Sequence, residues 1–365
     1  MATDDRTQSQ ASALEDLARS ALEWYCLAPT TRLRPLSLGN NATFEVLADA
    51  TTGRGTLDSS VDARPDSRFV LRVHRPGYRS VAHTRSELQF LQAVGKPLGD
   101  FGVATPQPVP DRDGNLVVRL ARGAAEADSG PERHGDLLTW VDGQVRVPGE
   151  GLGPRAVHRL GQALGHLHNA SQSFEPPAGF DLPRWDADGM FAAEASPFRP
   201  LLGLEEILAP RDRKLFDELA DRARELFDTL DGTAGSFGVI HVDYILGNVF
   251  LRRRAHGWDV SVFDFDDCGW GYYLYDLCPL LGNLAGYPGA ILDNPGYPPL
   301  RRAFLDGYRS ARPLPPEWEA HLPLLMAARH ANHCFTTAGL DVSPTPVEDA
   351  AWRMDLARRC LDLAR

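Results

Sequence analysis

The stretch at residues 241–248 reads His-Val-Asp-Tyr-Ile-Leu-Gly-Asn, and residues 264–266 read Asp-Phe-Asp. Together they place a carboxylate at Asp243, an amide at Asn248 and a second carboxylate at Asp264. Carboxylate and amide oxygens are the ligands that hard divalent cations take in proteins, and a carboxylate can also accept a proton. The three side chains therefore combine a candidate base with candidate metal ligands.

The residues between Asn248 and Asp264 predict a β-hairpin. Residues 248–252 and 258–263 have the composition of strands, and Ala255-His256-Gly257 between them has that of a turn. A hairpin returns the chain to the end at which it started. Asn248 and Asp264 are therefore expected to lie side by side, where both could bind one cation.

The order of these side chains is that of a phosphoryl-transfer site. In kinases, an Asp of the catalytic loop orients and deprotonates the attacking hydroxyl, and a following Asn and a later Asp hold magnesium on the nucleotide phosphates. On this pattern Asp243 is the catalytic base, and Asn248 and Asp264 are the magnesium ligands. His241 is expected to brace the loop by hydrogen bonding rather than to take part in the chemistry.

Composition limits the classes of function. The chain has 365 residues, a net charge of -11 and five scattered cysteines. The negative charge argues against a nucleic-acid-binding surface, and no apolar run is long enough to span a membrane. The polar N-terminus does not have the pattern of a targeting peptide. We therefore expect a cytoplasmic protein with a small-molecule substrate and with neither nucleic acid nor membrane as a partner. The oligomeric state stays open.

The predicted elements divide the chain into two parts. Residues 1–141 contain an N-terminal helix, a second helix and five strands, predicted at 32–38, 42–48, 68–74, 115–120 and 137–141. Residues 142–365 are mainly helical apart from the hairpin, and one long helix is predicted at 316–338. The fold class is therefore α+β, with a boundary near residue 141.

The chain resembles the aminoglycoside phosphotransferase and homoserine kinase family of small-molecule kinases. The most specific stretches are 241–248, 262–267 and 275–277, with Gly269 and Gly271. The resemblance implies a two-lobed protein-kinase-like fold, in which a small antiparallel-sheet lobe binds nucleotide and a larger helical lobe carries catalysis and acceptor binding. It also implies ATP and Mg²⁺, a hydroxyl acceptor, and a supporting role for the Asp of 275–277 beneath the catalytic loop.

The nucleotide-binding residues also follow from the resemblance. The turn Gly39-Asn40-Asn41 lies where a phosphate-covering loop belongs. In the strand 68–74, alternation separates Arg72 from the apolar face, so that it occupies the position of the phosphate-binding lysine. Glu87 on the next helix is its expected ion-pair partner. The remaining predicted contacts of the nucleotide are Val70, Trp140, Val141 and Phe250.

Two features depart from the family's pattern. Arg72 stands where the family has lysine; arginine keeps the charge, but it is longer, planar and forked. In the catalytic loop, Val242 replaces a glycine, and Tyr244-Ile245-Leu246 replaces an apolar residue followed by His and Pro. These larger apolar residues lead us to expect an acceptor pocket of altered shape.

Three functions are compatible with these motifs. The first is an ATP-dependent kinase for the hydroxyl of a small metabolite or an aminoglycoside-like compound. The second is a Ser/Thr protein kinase of the bacterial stress-response type, which shares the same motifs. The third is a nucleotide-binding pseudokinase that acts as an interaction module, which Arg72 and the sparse glycine loop motivate. Asp266 and Asp267 either contact substrate or a second metal, or are solvated or capping residues.

Overall fold

The computed structural model describes residues 2–28, 31–38, 41–49, 66–120, 133–148, 150–255, 257–286, 294–339 and 343–363. The chain forms two compact units. One comprises Met1–Gln92 and Pro106–Val141, and the other comprises Ala93–Thr105 and Asp142–Arg365.

The elements up to residue 141 are α1 (Ala2–Leu22), β1 (Arg32–Leu38), β2 (Asn41–Asp49), β3 (Asp66–His74), α2 (Val81–Gly99), β4 (Val103–Ala104), β5 (Pro108–Val109), β6 (Val118–Leu120) and β7 (Arg133–Thr139). The helices that follow are α3 (Pro154–Gln172), α4 (Ala187–Phe191), α5 (Leu204–Ile207), α6 (Pro210–Asp231), α7 (Cys278–Gly286), α8 (Tyr297–Ala311), α9 (Pro316–Glu319), α10 (Leu322–Asn332), α11 (Cys334–Thr337) and α12 (Pro346–Asp362). The strands among them are β8 (Arg184–Trp185), β9 (Phe237–Ile240), β10 (Val249–Arg254), β11 (Gly257–Val262) and β12 (Gly269–Tyr272).

The first unit is built on an antiparallel sheet in the order β1-β2-β3-β7-β5, with β6 also paired to β7. Alternation along β3 sends Phe69, Leu71 and Val73 into an apolar core that α1 covers with Leu17 and Ala21. The opposite face of β3 is therefore available for polar side chains, and it carries the ionic residues described below.

Strand β7 begins earlier than the sequence predicts. The sequence predicts a strand only over residues 137–141, whereas β7 spans Arg133–Thr139. The reason is that Asp136 pairs in register with Arg72 of β3, so a polar side chain that looks like a loop residue is held inside the sheet by an ion pair. The fourth predicted strand, 115–120, is shortened to Val118–Leu120.

The second unit is mainly helical, and α3 packs closely on α8. A Cβ added to Gly307 of α8 would lie 1.9 Å from the backbone oxygen of His158, and one added to Gly161 of α3 would lie 2.0 Å from that of Phe304. Only glycine permits this approach. Helix α3 also contacts the candidate site, because His168 donates to Asp276 and Leu160 accepts from Tyr244. The close contact with α8 therefore fixes the position of the helix that holds these residues.

Two small sheets complete the second unit. Strands β10 and β11 form the predicted hairpin, with Val249 opposite Val262, and β4 joins β11 in parallel. Strands β8, β12 and β9 form the other sheet. The long helix predicted at 316–338 is instead three helices, α9, α10 and α11. A proline in the first turn of α10, Pro323, starts that helix afresh because proline has no N–H to continue an earlier one.

No helix in the described ranges has both the length and the apolarity needed to cross a membrane.

Candidate active site

The predicted catalytic loop, residues 241–248, leaves β9 in an unusual backbone conformation. Val242 has a φ of 71°, a left-handed value that is rare for a β-branched residue. Its N–H donates to Asp276 Oδ1 at 2.7 Å, and the N–H of His241 donates to Asp276 Oδ2 at 2.9 Å. One carboxylate therefore clamps the loop immediately before Asp243.

Asp276 is itself buried and accepts a hydrogen bond from α3. His168 Nε2 donates to its Oδ2 at 3.0 Å, and the other ring nitrogen of His168 lies 2.8 Å from the hydroxyl of Tyr308. Burial alone would raise the pKa of Asp276, but the hydrogen bonds from His168 and His241 outweigh it and hold that pKa below its ordinary value. Asp276 is thus an anion that supports the loop, as the family resemblance implies.

Both carboxylate oxygens of Asp243 accept a hydrogen bond. Asn248 Nδ2 donates to Asp243 Oδ2 at 2.9 Å and to the backbone oxygen of Asp243 at 3.0 Å. Arg329 Nη2 donates to Asp243 Oδ1 at 2.7 Å. The carboxylate plane is therefore fixed, and the predicted base and one predicted metal ligand are in direct contact.

The hairpin brings Asp264 back to Asn248. The N–H of Phe263 donates to the backbone oxygen of Asn248 at 3.1 Å, and His241 Nε2 donates to the oxygen of Phe263 at 3.0 Å. His241 thus braces the loop against the returning strand, as expected. Asp264 follows directly at a φ of 66°, with an exposed side chain.

The apolar residues of the loop are mostly core residues. Val242, Tyr244 and Leu246 are each 2% exposed or less, and the hydroxyl of Tyr244 donates to the backbone oxygen of Leu160 on α3 at 2.9 Å. Only Ile245 is partly exposed. The enlarged side chains therefore anchor the loop to the helices, and the altered shape of the acceptor pocket stays a prediction.

Arg329 was not predicted from the sequence. It lies on α10, whose residues from Leu324 to Ala328 are all buried, and its Nη1 also donates to the backbone oxygen of Val242 at 2.8 Å. Its side chain is 12% exposed, against 29% for Asp243. A lone arginine in an apolar helix requires a buried partner, and that is the signal by which it could have been found.

A buried ionic cluster lies in the first unit. Arg72 Nη1 pairs with Glu87 at 2.8 Å, and its Nε pairs with Asp136 at 3.0 Å. His74 Nε2 lies 2.5 Å from Asp136 Oδ2 and its ring stacks on that of His134. The ion pair of Arg72 with Glu87 was expected. Asp136 and His74 were not predicted as members of the cluster, because Asp136 lies outside the strand predicted at 137–141 and His74 is the last residue of β3.

The cluster leaves the Nη2 amino group of Arg72 unused among the described residues. Burial raises the pKa of Glu87 and opposes the lowering effect of Arg72. Asp136 has the opposite balance: burial would raise its pKa, but Arg72 and His74 hold it below the ordinary value. Arg72 Nη2 is buried without a hydrogen-bond partner in the described part of the chain. An orphaned cationic N–H of this kind can bind a phosphate oxygen.

The comparisons with known proteins identify the family. A family model described as the phosphotransferase enzyme family matches residues 53–324. The chain belongs to the phosphotransferase enzyme family. It is 30% identical over 290 residues to the homoserine kinase of Parvibaculum lavamentivorans, which covers 76% of this chain and 78% of that protein. It is 23% identical over 274 residues to the amicoumacin kinase of Bacillus subtilis, covering 72% of this chain and 71% of that one.

Solved structures agree with this assignment. A microcompartment-associated aminopropanol kinase has a TM-score of 0.70 and 27% sequence identity, with 96% of each chain covered. The predicted α+β, protein-kinase-like fold and the family resemblance are both confirmed. This phosphotransferase is therefore an enzyme of the small-molecule kinase type.

The other predicted nucleotide contacts of this phosphotransferase are placed as follows. Val70 shares the face of β3 that carries Arg72. The ring of Trp140, next to Val141, is covered by the guanidinium of Arg68 at 3.9 Å. Phe250, in the second unit, packs on the ring of Phe263 at 4.4 Å. Asn41 is the first residue of β2, and Gly39 and Asn40 lie outside the described residues.

Proposed function

We propose that this phosphotransferase transfers the γ-phosphoryl group of ATP to the hydroxyl of a small molecule. Asp243 serves as the base, and Asn248 and Asp264 hold Mg²⁺. The observation that supports this most directly is the fixed carboxylate of Asp243, which accepts from Asn248 Nδ2 at 2.9 Å on a loop clamped by Asp276. A base held in one orientation is what a positioned hydroxyl needs.

In the proposed reaction, Asp243 orients the acceptor hydroxyl and receives its proton. The acceptor oxygen forms a bond to the γ-phosphorus, and the bond from that phosphorus to the bridging oxygen breaks, so that its electron pair leaves with ADP. The transition state of such transfers is loose, and the proton moves late. A carboxylate is therefore a sufficient base, and Arg329 keeps it in place through the contact at 2.7 Å.

The residues at the end of the hairpin fit a magnesium ion. The amide nitrogen of Asn248 faces Asp243, so the amide oxygen of Asn248 is the atom left for a metal, beside the exposed carboxylate of Asp264. Within the described ranges, no group of three or more His, Cys, Asp or Glu side chains could hold a metal. Magnesium commonly takes one or two protein ligands and completes its shell with phosphates and water. When bound, it neutralises charge on the phosphates.

Arg72 is proposed to hold a nucleotide phosphate through its free Nη2. Its other two nitrogens are engaged by Glu87 and Asp136, so the side chain cannot rotate away. This arrangement lets arginine replace the usual lysine, because two carboxylates pair with Nε and Nη1 and leave the Nη2 amino group for the ligand. Asn41, Val70, Trp140, Val141 and Phe250 remain proposed contacts of the nucleotide.

The decisive experiment compares wild type with Asp243→Asn. ADP release is measured with Mg²⁺ and ATP across a panel of hydroxyl compounds that includes homoserine and 1-amino-2-propanol. Asp243→Asn is expected to lower kcat by about 10²- to 10⁴-fold, while the thermal shift produced by ATP is retained. Asp217→Asn, on the exposed face of α6, is the matched control and should behave as wild type.

Two results would contradict the proposal. A variant Asp243→Asn that keeps kcat within tenfold of wild type removes Asp243 as the base. A wild type that binds ATP but phosphorylates no small molecule leaves the pseudokinase, or a peptide substrate, as the function.

A further inference from the structure

The polar face of β3 continues past Arg72 to a second basic residue, His74. Alternation along the strand puts both side chains on the face opposite the apolar core, and both are buried. On one side of β3, Asp136 of β7 is paired in register with Arg72. On the other side, Asn41 of β2 is paired in register with His74. His74 therefore lies level with a proposed contact of the nucleotide and two residues from the proposed phosphate ligand.

Two buried nitrogens of this face, Arg72 Nη2 and His74 Nδ1, have no hydrogen-bond partner in the part of the chain that the structure describes. The other ring nitrogen of His74, Nε2, lies 2.5 Å from Asp136 Oδ2. Burial would raise the pKa of Asp136, but Arg72 and His74 hold that pKa below its ordinary value. The carboxylate is therefore an anion that only accepts hydrogen bonds. In the neutral ring of His74, Nε2 carries the hydrogen and Nδ1 is an unpaired acceptor.

The charge of the cluster does not balance when His74 is neutral. Arg72 contributes one positive charge, and Glu87 and Asp136, which both contact it, contribute two negative charges. His134 stacks on His74 and adds no charge, because burial and then the charge of His74 lower the pKa of His134 to about 3. A phosphate at Arg72 Nη2 therefore meets a cluster with one excess negative charge. One proton on His74 would make the cluster neutral.

The same proton would give Nδ1 the hydrogen that a phosphate requires. Phosphate oxygens accept hydrogen bonds, so they can bond to Nδ1 only when the ring is an imidazolium. We propose that His74 is a second phosphate ligand beside Arg72 and takes up one proton when nucleotide binds, with Asp136 positioning both side chains. The proton comes from solvent and returns to it when the nucleotide leaves. The inference rests on the proposed nucleotide site and adds to it a ligand and a dependence on pH.

Calorimetry of Mg·ADP binding measures this proton directly. The observed binding enthalpy is recorded at about pH 7.5 in buffers of different ionisation enthalpy, and its slope gives the number of protons taken up per nucleotide. Wild type is expected to take up as much as about one proton more than His74→Gln. Glutamine keeps a donor for Asp136 but cannot be protonated, and the titration of the ligand itself cancels in the difference. Adenosine, which has no phosphate, should bind to wild type without this uptake.

The affinity for nucleotide should follow the proton. The bound protein holds the proton at a higher pH than the free protein does, so binding strengthens on acidification until the free protein is protonated as well. Relative to His74→Gln, the Kd of Mg·ADP for wild type should fall by up to about tenfold per pH unit between about pH 8 and about pH 6.5. The KM for ATP should show the same difference, whereas kcat should change little because the base and the metal ligands are untouched.

Two further variants test where the proton is bound. His134→Gln replaces the neighbouring ring, which is already neutral, and should keep the proton uptake. Asp136→Asn removes the counter-ion of the imidazolium and should abolish the uptake. If His74→Gln does not fold, this pair of variants decides the question, because uptake that persists equally in both contradicts the proposed pair of His74 and Asp136. Glu87, whose pKa is raised by burial, is the other group that could take up the proton, and undiminished uptake in His74→Gln would assign it there and overturn the inference.

The outcomes separate this inference from the kinase function. A wild type that binds Mg·ADP without proton uptake overturns the role of His74 and leaves the kinase function in place. Equal uptake with adenosine and with Mg·ADP separates the proton from the phosphates and overturns that role as well. A wild type that binds neither Mg·ADP nor Mg·ATP, as measured by thermal shift, contradicts the proposed function itself, and the second phosphate ligand is then refuted with it.

Discussion

Asp276 is expected to hold the catalytic loop in a strained conformation. The Asp276→Asn variant measures how much the stability and the activity of the protein depend on this contact. The carboxylate accepts from the N–H of Val242 at 2.7 Å, from the N–H of His241 at 2.9 Å and from His168 Nε2 at 3.0 Å. An asparagine amide has one acceptor oxygen, and its nitrogen donates. If the oxygen keeps the two bonds at Oδ2, the amide nitrogen faces the N–H of Val242, and one bond becomes a repulsion.

The cost can be worked out from these contacts. A lost hydrogen bond to a charged group costs about 1.5–3 kcal/mol, and a buried unpaired N–H costs about 1–3 kcal/mol. Together they predict that Asp276→Asn lowers the free energy of unfolding by about 2.5–6 kcal/mol. Part of this is returned if the released loop relaxes, because a residue held at an unfavourable φ stores about 1–3 kcal/mol.

The conformation of Val242 makes the prediction specific. Its φ of 71° costs a valine but not a glycine. In the valine background, losing Asp276 lets the loop leave this conformation and displaces Asp243. In a Val242→Gly background, the original conformation stays populated. We therefore expect the double variant to be about 5- to 150-fold more active than Asp276→Asn alone, which is the strain of about 1–3 kcal/mol expressed as a ratio.

Stability should respond in the opposite direction. Relaxation returns strain energy only when residue 242 is valine, so Asp276→Asn should cost about 1–3 kcal/mol more in the glycine background. Urea unfolding and ADP release of the four proteins measure both couplings. Val242→Ala is the control: it trims the buried side chain but keeps the Cβ that causes the strain, so it should give little rescue. Equal activities of Asp276→Asn with and without Val242→Gly would refute the strain account.

Three other variants test separate parts of the structure. Arg72→Lys brings back the family's residue and should lower the free energy of unfolding by about 3 kcal/mol, because one amine cannot pair with two buried carboxylates. Adding Asp136→Asn to this variant should recover part of that loss, as measured by urea unfolding. Burial, and then the charge of His74, lower the pKa of His134 to about 3. The unfolded state therefore binds a proton at this residue at a higher pH than the folded state does. The free energy of unfolding has its full value above pH ~6.5 and falls on acidification by up to ~1.4 kcal/mol per pH unit. His134→Gln should reduce that slope by one proton between about pH 6.5 and 5, and an unchanged slope would contradict the assignment. Gly307→Ala should lower the free energy of unfolding by about 3 kcal/mol, because its Cβ would lie 1.9 Å from a backbone oxygen. Gly282→Ala is the control: a Cβ there meets no atom within 4 Å, so this variant should raise the free energy of unfolding by up to about 1 kcal/mol. Thermal unfolding measures both.

The sequence predicts the part of the site that is local in the chain. Asp243 and Asn248 lie within one loop, and a single hairpin returns the chain to Asp264. Spacing and turn composition are sufficient for such short-range geometry, because few alternative arrangements connect these residues. The five-residue separation in the sequence corresponds to a direct hydrogen bond of 2.9 Å in the structure.

The partners supplied by distant segments were not predictable in this way. Arg329 lies 86 residues from Asp243, and Asp136 lies 64 residues from Arg72. Each is a polar residue whose local context favours another interpretation: an apolar helix for Arg329, and a polar loop for Asp136. Strands of two residues, such as β4 and β8, carry no pattern at all and exist only because a partner strand lies beside them.

The departures of the catalytic loop from the family's pattern compensate one another. Valine at position 242 strains the backbone, and three contacts oppose that strain: Asp276 holds its N–H, Arg329 holds its carbonyl oxygen, and Tyr244 ties the next turn to α3. Arg329 is central to this arrangement because its second amino group holds Asp243. The same guanidinium therefore stabilises the loop and fixes the orientation of the Asp243 carboxylate. A lysine has a single amine and cannot hold both oxygens in the same geometry. Arg329→Lys should therefore lower the free energy of unfolding and kcat together, as measured by urea unfolding and ADP release, and a loss of only one of them would contradict this double role.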